Sequence, residues 1–448
     1  MRIVIIGAVA AGTSAAAEIR RRDKDADIII YEKGSYISYS GCSMPYYIGN
    51  EFSDFAKIVP SSPELFKKKY AADILIRHEV LAINPQSKTI SVKNTTTDEI
   101  LQDSYDKLVI ATGAAAEKPP IQGSNRKNVF ILRNINHMND IKSFIENEKP
   151  STAAIIGTGF VGLEMCETFA NLGIETTLIA RSSVAKSMDQ DMTVYIENHL
   201  KENGVTVLTN TPTKEITDSG VILGDGSLIK ADIILLATGI RPNVELAKSA
   251  GIELGVTGAI KVDGKMKTSV ADIYSCGDCT ELFHAVTGEP IYRPLGSTAN
   301  KTGIIAGNSI TGGNDEFRGI LGTGIFRLFS MTIAQTGLSE AEAKEHGYDS
   351  VVSVDARANK PEYMGGKKMV IKAVANKKNG RLLGAQIIGY DGVDKRIDVL
   401  AAAITLKATA EDLISLDLAY SPPYSTTKDP LFYTGIKLKN IMKGTVPK

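Results

Sequence analysis

The segment Arg2 to Gly12 reads RIVIIGAVAAG, and the segment Ala153 to Gly162 reads AAIIGTGFVG. Each is an apolar, β-branched run that stops at a glycine and continues into small residues with helical spacing. This pattern predicts the strand, tight turn and helix start of a dinucleotide-binding βαβ unit. A second strand is predicted to close each unit, DIIIYE over 27–32 and TTLIAR over 176–181.

Three further segments run from an apolar strand into a glycine turn: KLVIATG over 107–113, DIILLATG over 232–239 and IYSCGD over 273–278. We call the glycine-rich segments 2–12 and 153–162 the first and second fingerprints. Because the three further segments follow them in this order, we expect one Rossmann-like dinucleotide-binding domain to be inserted in another. The predicted fold class is therefore α/β.

The domain boundaries follow from the same order. The first nucleotide domain is predicted at 1–112 and 246–320, and the inserted one at 113–245. From 321 to 448 short strands alternate with turns and a helical stretch, which predicts a C-terminal α+β domain.

The composition restricts the classes of function. Lysine and arginine together number 51, as do aspartate and glutamate, so the formal net charge is zero. Nucleic-acid-binding domains usually carry a basic excess, which is missing here. No apolar run reaches the roughly 18 residues of a membrane span, and four cysteines in 448 residues do not make a disulfide framework. We expect a cytoplasmic protein with reduced thiols that binds neither nucleic acid nor a membrane.

The two glycine turns are predicted phosphate-binding sites. The second fingerprint is complete, with Gly157 for the tight turn, Gly159 for close approach of a pyrophosphate and Gly162 for helix packing. The first keeps Gly7 and Gly12 but has a valine at the middle position.

The strand ends predict which nucleotide each turn binds. Glu32 lies about 25 residues after Gly7, where a carboxylate accepts hydrogen bonds from ribose hydroxyls, and its neighbour Lys33 is assigned to the same site. The matching strand of the second unit ends at Arg181 without an acid, which favours NADPH or use of both nicotinamide nucleotides. The alternative is that Glu32 and Arg181 are ordinary exposed charges.

Cys42 stands in SYSGCSMPYY, residues 38–47, where glycine and proline bracket a turn that runs into a helix. A thiol near a helix N-terminus is expected to be nucleophilic because the helix dipole stabilises its thiolate. Since the segment has no second cysteine, Cys42 would cycle through a mixed disulfide with a small thiol or a sulfenic acid. The alternative is an inert, buried cysteine.

The other three cysteines are weaker candidates. Cys166 falls inside the helix after the second fingerprint and is predicted to be core. Cys276 and Cys279 have a CxxC spacing, which suits half a zinc site or a redox pair, but no second pair or histidine cluster completes a metal site. No metal is therefore predicted.

With these residues in place, the sequence resembles the pyridine nucleotide-disulfide oxidoreductase family over essentially its whole length. Its lone Cys42 is similar to the single-cysteine branch, which includes coenzyme A-disulfide reductase, NADH oxidase, NADH peroxidase and NAD(P)H sulfur reductases. The resemblance implies FAD in the first domain, NADH or NADPH in the second, and a C-terminal domain that forms a homodimer. It also implies that Ala111, Thr112, Gly113 and Asp278 contact the flavin nucleotide.

Two features separate the members of this branch. The oxidases and peroxidases carry a histidine in the first turn, where this sequence has Ala10, and the change disfavours peroxide reduction. The segment AYSPPY, residues 419–424, resembles the AYxPPY segment of coenzyme A-disulfide reductases. In those enzymes a tyrosine from the partner subunit approaches the substrate sulfur, so the resemblance implies catalytic roles for Tyr420 and Tyr363.

The resemblance further implies a coenzyme A channel. Its lining is predicted to comprise Ser14, Arg21, Ser38, Cys42, Tyr420 and Lys428. Two positions depart from the family pattern, because Gly41 replaces an asparagine and Asn300 replaces a histidine, and either change could shift the preference to another thiol or persulfide.

The predicted activity is FAD-dependent reduction of coenzyme A disulfide by NAD(P)H. Reduction of polysulfide or coenzyme A persulfide by NAD(P)H is the alternative within the branch, as is NADH oxidation. A flavin reductase that serves a protein partner and a non-catalytic NAD(P)H sensor are the alternatives from other classes.

Overall fold

A computed structural model of the chain describes residues 1–445. Over these residues the chain forms two parallel five-stranded sheets, one antiparallel five-stranded sheet and several smaller ones, with helices packed on them. The predicted C-terminal domain runs to 448, so its last residues, 446–448, lie outside the described part. None of the helices over 1–445 is both long and apolar enough to cross a membrane.

The first stretch of chain builds most of a parallel sheet and a small antiparallel one. Its elements are β1 (Arg2–Ile6), α1 (Ala10–Arg22), β2 (Asp27–Glu32), α2 (Met44–Ile48), α3 (Pro63–Tyr70), β3 (Asp73–Ile76), β4 (His78–Asn84), β5 (Thr89–Asn94), β6 (Ile100–Ser104) and β7 (Lys107–Ile110). Strands β4, β5 and β6 pair antiparallel. Strand β1 is almost wholly buried because both of its edges are paired and its apolar residues join the core.

The next stretch builds a second parallel sheet in the order β12-β11-β10-β16-β9. Its elements are β8 (Ala114–Ala116), β9 (Val129–Phe130), α4 (Ile135–Glu148), β10 (Thr152–Ile156), α5 (Phe160–Asn171), β11 (Glu175–Ile179), α6 (Gln190–Glu202), β12 (Thr206–Leu208), β13 (Thr213–Thr217), β14 (Gly220–Leu223), β15 (Leu228–Lys230), β16 (Ile233–Leu236) and β17 (Ile240–Pro242). Strands β8 and β17 pair with each other, so the chain enters and leaves this unit along one two-stranded ribbon.

The chain then returns to the first sheet. The elements of this part are α7 (Glu245–Ser249), β18 (Ile273–Ser275), β19 (Leu282–Phe283), β20 (Pro290–Ile291) and α8 (Gly296–Ile310). Strand β18 pairs in parallel with β7 and completes the order β18-β7-β1-β2-β3. Helix α8 packs closely on α1. The close approach requires glycine at position 303, because a Cβ there would overlap the Ala11 carbonyl oxygen.

The last part is an antiparallel sheet in the order β21-β22-β25-β24-β23, with helices beside it. Its elements are β21 (Gly324–Leu328), β22 (Met331–Gly337), α9 (Glu340–Glu345), β23 (Ser350–Ala358), β24 (Lys368–Asn376), β25 (Leu382–Gly389), α10 (Val393–Thr405), α11 (Ala410–Ser415) and α12 (Pro430–Met442). Strands β24 and β25 are buried nearly throughout because α10 and α12 cover the sheet.

The architecture agrees with the predicted α/β class and with the insertion of one sheet into another. The strand predicted over 27–32 forms at those residues, whereas the one predicted over 176–181 runs from Glu175 to Ile179. Arg181 therefore lies in the loop after the strand. The pairing of β18 with β7 brackets the insertion, but the domain boundaries at 112, 245 and 320 stay predictions.

Candidate active site

Both phosphate-binding turns have the backbone geometry that demands glycine. Gly7 has φ +107° and Gly157 has φ +112°, values that residues with a side chain rarely adopt. A Cβ at Gly7 would overlap the Ala111 carbonyl oxygen, and a Cβ at Gly157 would overlap that of Ala237. Each turn is thus locked against the end of the neighbouring parallel strand.

The third glycine of each fingerprint serves the close approach of helix and turn. A Cβ at Gly12 would overlap the Gly7 carbonyl oxygen, and one at Gly162 would overlap that of Gly157. By contrast, a Cβ at Gly159 would meet no heavy atom of the described residues within 4 Å. The middle position therefore faces open space in the second unit.

The helices that leave the two turns begin with free backbone donors. Over the described chain, neither Val9 before α1 nor Gly159 before α5 caps its helix through a side chain, and neither helix has an acidic residue in its first turn. The N–H groups and the positive end of each helix dipole are available to an anion. Both turns therefore fit a dinucleotide pyrophosphate.

Glu32 lies at the rim of the first turn. Its carboxylate accepts hydrogen bonds from the backbone N–H of Ala8, at 2.8 Å, and of Gly34, at 2.7 Å. A carboxylate has further lone pairs for ligand hydroxyls. Lys33 is exposed beside it.

The predicted flavin-binding turn at Ala111, Thr112 and Gly113 is tied to the returning chain. The Thr112 hydroxyl donates to the Asn243 carbonyl at 2.7 Å, and the Asn243 side chain donates to the Thr112 carbonyl at 2.8 Å. The Asn243 N–H donates to the Gly113 carbonyl at 2.9 Å. Sequence reasoning missed Asn243, whose partners are more than a hundred residues away.

Asp278 follows β18 and faces the same region. It pairs with Arg133 at 2.6 Å, and the Arg133 Nε donates to the Ala114 carbonyl at 2.9 Å. The Tyr292 hydroxyl donates to the Asp278 carbonyl at 2.9 Å. Arg133 thereby connects the inserted unit to the first nucleotide domain.

Cys42 occupies a short 3-10 turn, residues 41–43, directly before α2. Among the cysteines of the described chain it is the exposed one, whereas Cys166, Cys276 and Cys279 are buried. Cys166 is thus core, as predicted. Over residues 1–445 no group of three or more histidine, cysteine or acidic side chains is arranged to hold a metal.

The electrostatic surroundings of Cys42 differ from the expectation. The protein packed around the thiol raises its pKa, and the Glu164 and Asp278 carboxylates act in the same direction, while Arg133 opposes them. Burial and these two carboxylates outweigh the predicted lowering by the following helix, so the expected direction of the pKa shift was wrong.

Glu164 on α5 links the second nucleotide unit to the segment of Cys42. Burial raises its pKa to about 7, although the Tyr46 hydroxyl donates to it at 3.2 Å. Burial and Glu164 also raise the pKa of Tyr46, whose ring lies 5.3 Å from the Arg327 guanidinium. Sequence reasoning missed Glu164, although an acid two residues after Gly162 on a mostly apolar helix is a visible signal.

The predicted coenzyme A residues of the first domain lie around α1. The Ser14 hydroxyl donates to the Asn300 side chain at 2.8 Å, so the position that departs from the family pattern contacts the predicted channel. Ser38 adopts φ +49° while its N–H donates to the Ala8 carbonyl. Arg21 is largely exposed and pairs with Glu18 at 2.6 Å.

The predicted tyrosines lie on the third part of the chain. Tyr363, in a short 3-10 turn between β23 and β24, is 76% exposed, and Tyr420, on the loop between α11 and α12, is 49% exposed. Lys428 follows in the same loop as Tyr420 and lies over the Phe432 ring at 5.8 Å. Within the described residues no hydrogen bond or ion pair connects either tyrosine to the Cys42 turn.

Arg181 is exposed in the loop after β11. The beginning of this loop is held by the second turn, because the Thr158 hydroxyl donates to the Ser183 carbonyl at 3.1 Å. Lys186 is a second exposed cation of the loop. The exposed side chains here can approach a nucleotide bound at Gly159.

Comparison with known proteins identifies the chain's relatives. Residues 1–299 match the family model described as pyridine nucleotide-disulphide oxidoreductase, and residues 325–430 match its dimerisation domain. The chain is 36% identical to an NAD(P)H sulfur oxidoreductase (CoA-dependent) of Pyrococcus furiosus, covering 98% of this chain and 99% of the relative. It is 33% identical to a coenzyme A disulfide reductase of Staphylococcus epidermidis, covering 97% and 99%.

Solved structures give the same result. A reduced CoADR-RHD of Bacillus anthracis superimposes with a TM-score of 0.97 at 38% identity, covering 99% of this chain and 81% of that one. An engineered water-forming NADPH oxidase bound to NADPH superimposes with a TM-score of 0.94 at 28% identity, covering 100% of both chains. The predicted family and fold class are confirmed, and the chain belongs to the pyridine nucleotide-disulphide oxidoreductase family.

Proposed function

We propose that this chain is an FAD-dependent NAD(P)H reductase of coenzyme A disulfide that acts through a single redox-active thiol, Cys42. The observation that carries the proposal is the placement of this thiol. Cys42 is exposed, and the charges around it come from both nucleotide units, Asp278 from the first and Glu164 from the second. A disulfide substrate can therefore reach the thiol where the two units meet.

The first turn fits FAD, and the second fits a nicotinamide nucleotide. The open helix starts after Gly7 and Gly157 suit two pyrophosphates, and Glu32 suits a ribose. FAD at the first turn would supply the two electrons that NAD(P)H delivers. The Ala111–Gly113 turn and Asp278 are assigned to the same cofactor.

Cys42 performs the exchange of sulfur partners. Its thiolate attacks one sulfur of coenzyme A disulfide, forms a Cys42–S–S–CoA mixed disulfide and releases the other coenzyme A as a thiolate. Two electrons then cleave the mixed disulfide, which restores the Cys42 thiolate and releases the second coenzyme A. A proton donor near the substrate sulfur assists each departing thiolate.

We assign the role of proton donor to Tyr420 of a second copy of the chain. We assign Tyr363 to the same catalytic site. The exposure of both rings supports the assignment, as does the dimerisation domain. Arg21 and Lys428 are the assigned cations for coenzyme A phosphates, and Ser14 and Ser38 are assigned to the same channel.

A second candidate is reduction of polysulfide or coenzyme A persulfide by the same residues. The similarity to a CoA-dependent NAD(P)H sulfur oxidoreductase favours it. So does the contact of Asn300 with Ser14, because the amide replaces the family's histidine where the substrate is expected to pass. The two substrates differ in leaving group and not in the nucleophile.

We further propose a preference for NADPH. The engineered NADPH oxidase carries three consecutive exchanges, Asp-Ala-Met to Ala-Arg-Ser, and this chain reads Ala180-Arg181-Ser182 after the second strand of its nicotinamide unit. Arg181 is exposed and can pair with a 2′-phosphate. Catalytic efficiency (kcat/KM) is expected to be higher with NADPH than with NADH, and a strong preference for NADH would contradict the assignment.

Mass spectrometry of the protein denatured without reductant tests the nucleophile. We expect the Cys42 peptide to carry a coenzyme A mass that dithiothreitol removes, and Cys42→Ser to lose disulfide reductase activity while Ser43→Ala in the same turn keeps it. Full activity of Cys42→Ser would refute the proposal. Faster turnover of polysulfide than of coenzyme A disulfide would establish the second candidate.

A further inference from the structure

Arg396 on α10 is the largest fully buried side chain of the described residues, with 1% of its surface exposed. Its Nε lies 3.1 Å from each carboxylate oxygen of Asp429, and its Nη2 lies 2.8 Å from Oδ2. The same Nη2 donates to the Ser425 hydroxyl at 3.2 Å and to the Asn359 carbonyl at 3.1 Å. One guanidinium thus joins three separate segments of the chain.

Two of these segments carry the tyrosines assigned above. Ser425 and Asp429 belong to the loop between α11 and α12, residues 416–429, which contains Tyr420. Asn359 begins the loop between β23 and β24, residues 359–367, which contains Tyr363. Both loops have little regular structure, and the Tyr363 ring is largely exposed and the Tyr420 ring half-exposed, so packing of the rings fixes the loops only in part.

The shorter loop is closed by the residue that Arg396 contacts. The Asn359 side chain accepts a hydrogen bond from the Lys367 N–H at 2.8 Å and donates to the Asp391 carbonyl at 3.0 Å. The backbone N–H of Asn359 also donates to the Lys367 carbonyl. Fixing the Asn359 carbonyl therefore fixes the base of the loop that presents Tyr363.

The longer loop is fixed at its far end. The Ser425 hydroxyl donates to Asp429 Oδ2 at 2.8 Å, and Asp429 Oδ1 accepts from the Leu431 N–H at 3.0 Å, which caps α12. Burial alone would raise the pKa of Asp429, but Arg396, the Leu431 N–H and the Ser425 hydroxyl together outweigh it, and the pKa lies below its usual value. The carboxylate stays ionised, so the charged pair holds near neutral pH.

We propose that Arg396 is a positioning residue for disulfide reduction, which holds the Tyr363 loop and the Tyr420 loop in one fixed relation. The inference rests on the proposed function, because it acts through those tyrosines. The planar guanidinium group of arginine has several N–H donors in fixed directions and can therefore bind Asp429, Ser425 and Asn359 at the same time. A lysine ammonium group lacks that geometry. Loosening two catalytic groups by about 1 Å costs on the order of a hundredfold in rate.

The test compares Arg396→Lys with Leu400→Ala, which removes a fully buried side chain one turn further along α10. Anaerobic stopped-flow measurements separate reduction of the flavin by NADPH from reoxidation of the reduced holoenzyme by coenzyme A disulfide. We expect Arg396→Lys to slow the reoxidation at least about tenfold, with flavin reduction within about twofold of the unmodified protein. Leu400→Ala is expected to lower the melting temperature and leave both rates within about twofold.

The Tyr363→Phe/Tyr420→Phe background provides the second readout. There Arg396→Lys is expected to slow reoxidation no further, because the groups it positions are gone. Equal slowing by Arg396→Lys and Leu400→Ala, or an undiminished Arg396 effect in the double-phenylalanine background, would overturn the inference. Unchanged reoxidation in the double-phenylalanine variant alone would refute the assigned tyrosine role, and with it the positioning role.

Discussion

The Tyr46 hydroxyl donates a hydrogen bond of 3.2 Å to the Glu164 carboxylate, which connects the helix after Cys42 to the helix that leaves the second phosphate turn. Arg327 from the C-terminal sheet lies over the Tyr46 ring and pairs with Glu167 at 2.8 Å. All three parts of the chain therefore meet next to the proposed nucleophile. A charge change at Glu164 acts on stability and on Cys42 together.

Glu164→Gln is expected to stabilise the protein at alkaline pH. Burial raises the Glu164 pKa from 4.5 to about 7, so the folded chain binds this proton more tightly than the unfolded chain does. Stability is then lost as the pH rises from about 4.5 to about 7, and ionised Glu164 costs roughly 3 kcal/mol above that range. Urea denaturation should show the variant more stable than the parent at pH 8 and equal to it at pH 4.

A second readout of Glu164→Gln is the alkylation rate of Cys42 against pH. Because Glu164 raises the pKa of the thiol, the midpoint should move to lower pH in the variant. Exposed Glu175→Gln is the control and should change neither measurement. A Glu164→Gln protein that is less stable than the parent at pH 8 would contradict this account.

Alanine substitutions at Gly157 and Gly159 should separate folding from nucleotide binding. Gly157→Ala forces φ +112° on alanine and drives its Cβ into the Ala237 carbonyl oxygen, so we expect a loss of about 1–3 kcal/mol or more in unfolding free energy. Gly159→Ala meets no described atom within 4 Å, so stability should be kept. Its Cβ would stand where a pyrophosphate approaches, so KM for NADPH should rise about tenfold or more. Equal stability of the two variants would disprove the distinction.

Lys372 should be essential for the contact between the nicotinamide unit and the C-terminal sheet. It is 2% exposed and pairs with Asp191 at 2.8 Å, Glu340 at 2.7 Å and Asp189 at 3.2 Å. Lys372→Met leaves these carboxylates together without a cation, which is expected to cost about 3–5 kcal/mol. Thermal or urea unfolding measures the loss, with exposed Lys378→Met as the control. A loss no larger than that of Lys378→Met would show that the cluster contributes little.

Mixed dimers should show whether Tyr420 acts across subunits. Cys42→Ser and Tyr420→Phe chains are each expected to be impaired as homodimers. A mixed dimer has one site with both Cys42 and Tyr420 intact if the tyrosine comes from the other chain. Random exchange of subunits should then restore about a quarter of the unmodified activity, whereas no recovery would place Tyr420 in the same chain's site.

Local patterns predicted the parts of the fold that local chemistry controls. Gly7 and Gly157 each follow an apolar strand directly, and both adopt the positive φ that favours glycine in a tight turn. The insertion followed from the repetition of this unit. The same kind of local reasoning predicted Cys42 as the redox-active thiol, which stays a prediction.

Contacts between distant residues could not be read from such patterns. The Cys42 pKa is raised by burial and, in addition, by Glu164 and Asp278, which are far away in sequence and close in space. In the sequence, Arg396, Ser425 and Asp429 cannot be told from exposed polar residues, because their burial is decided by tertiary packing. Arg181 was placed on a strand that ends two residues earlier, since strand ends are set by pairing partners.

The position of β18 has a consequence for synthesis on the ribosome. Ile273 pairs with Leu108, so the edge of β7 stays without its partner until some 160 further residues have been translated, roughly ten to thirty seconds at usual rates. The inserted sheet is complete in the nascent chain well before that time. An open β7 edge is a template for association with other chains. A transcript truncated after codon 236 and before codon 273 therefore yields a polypeptide with all strands of the second sheet and a first sheet that exposes this edge.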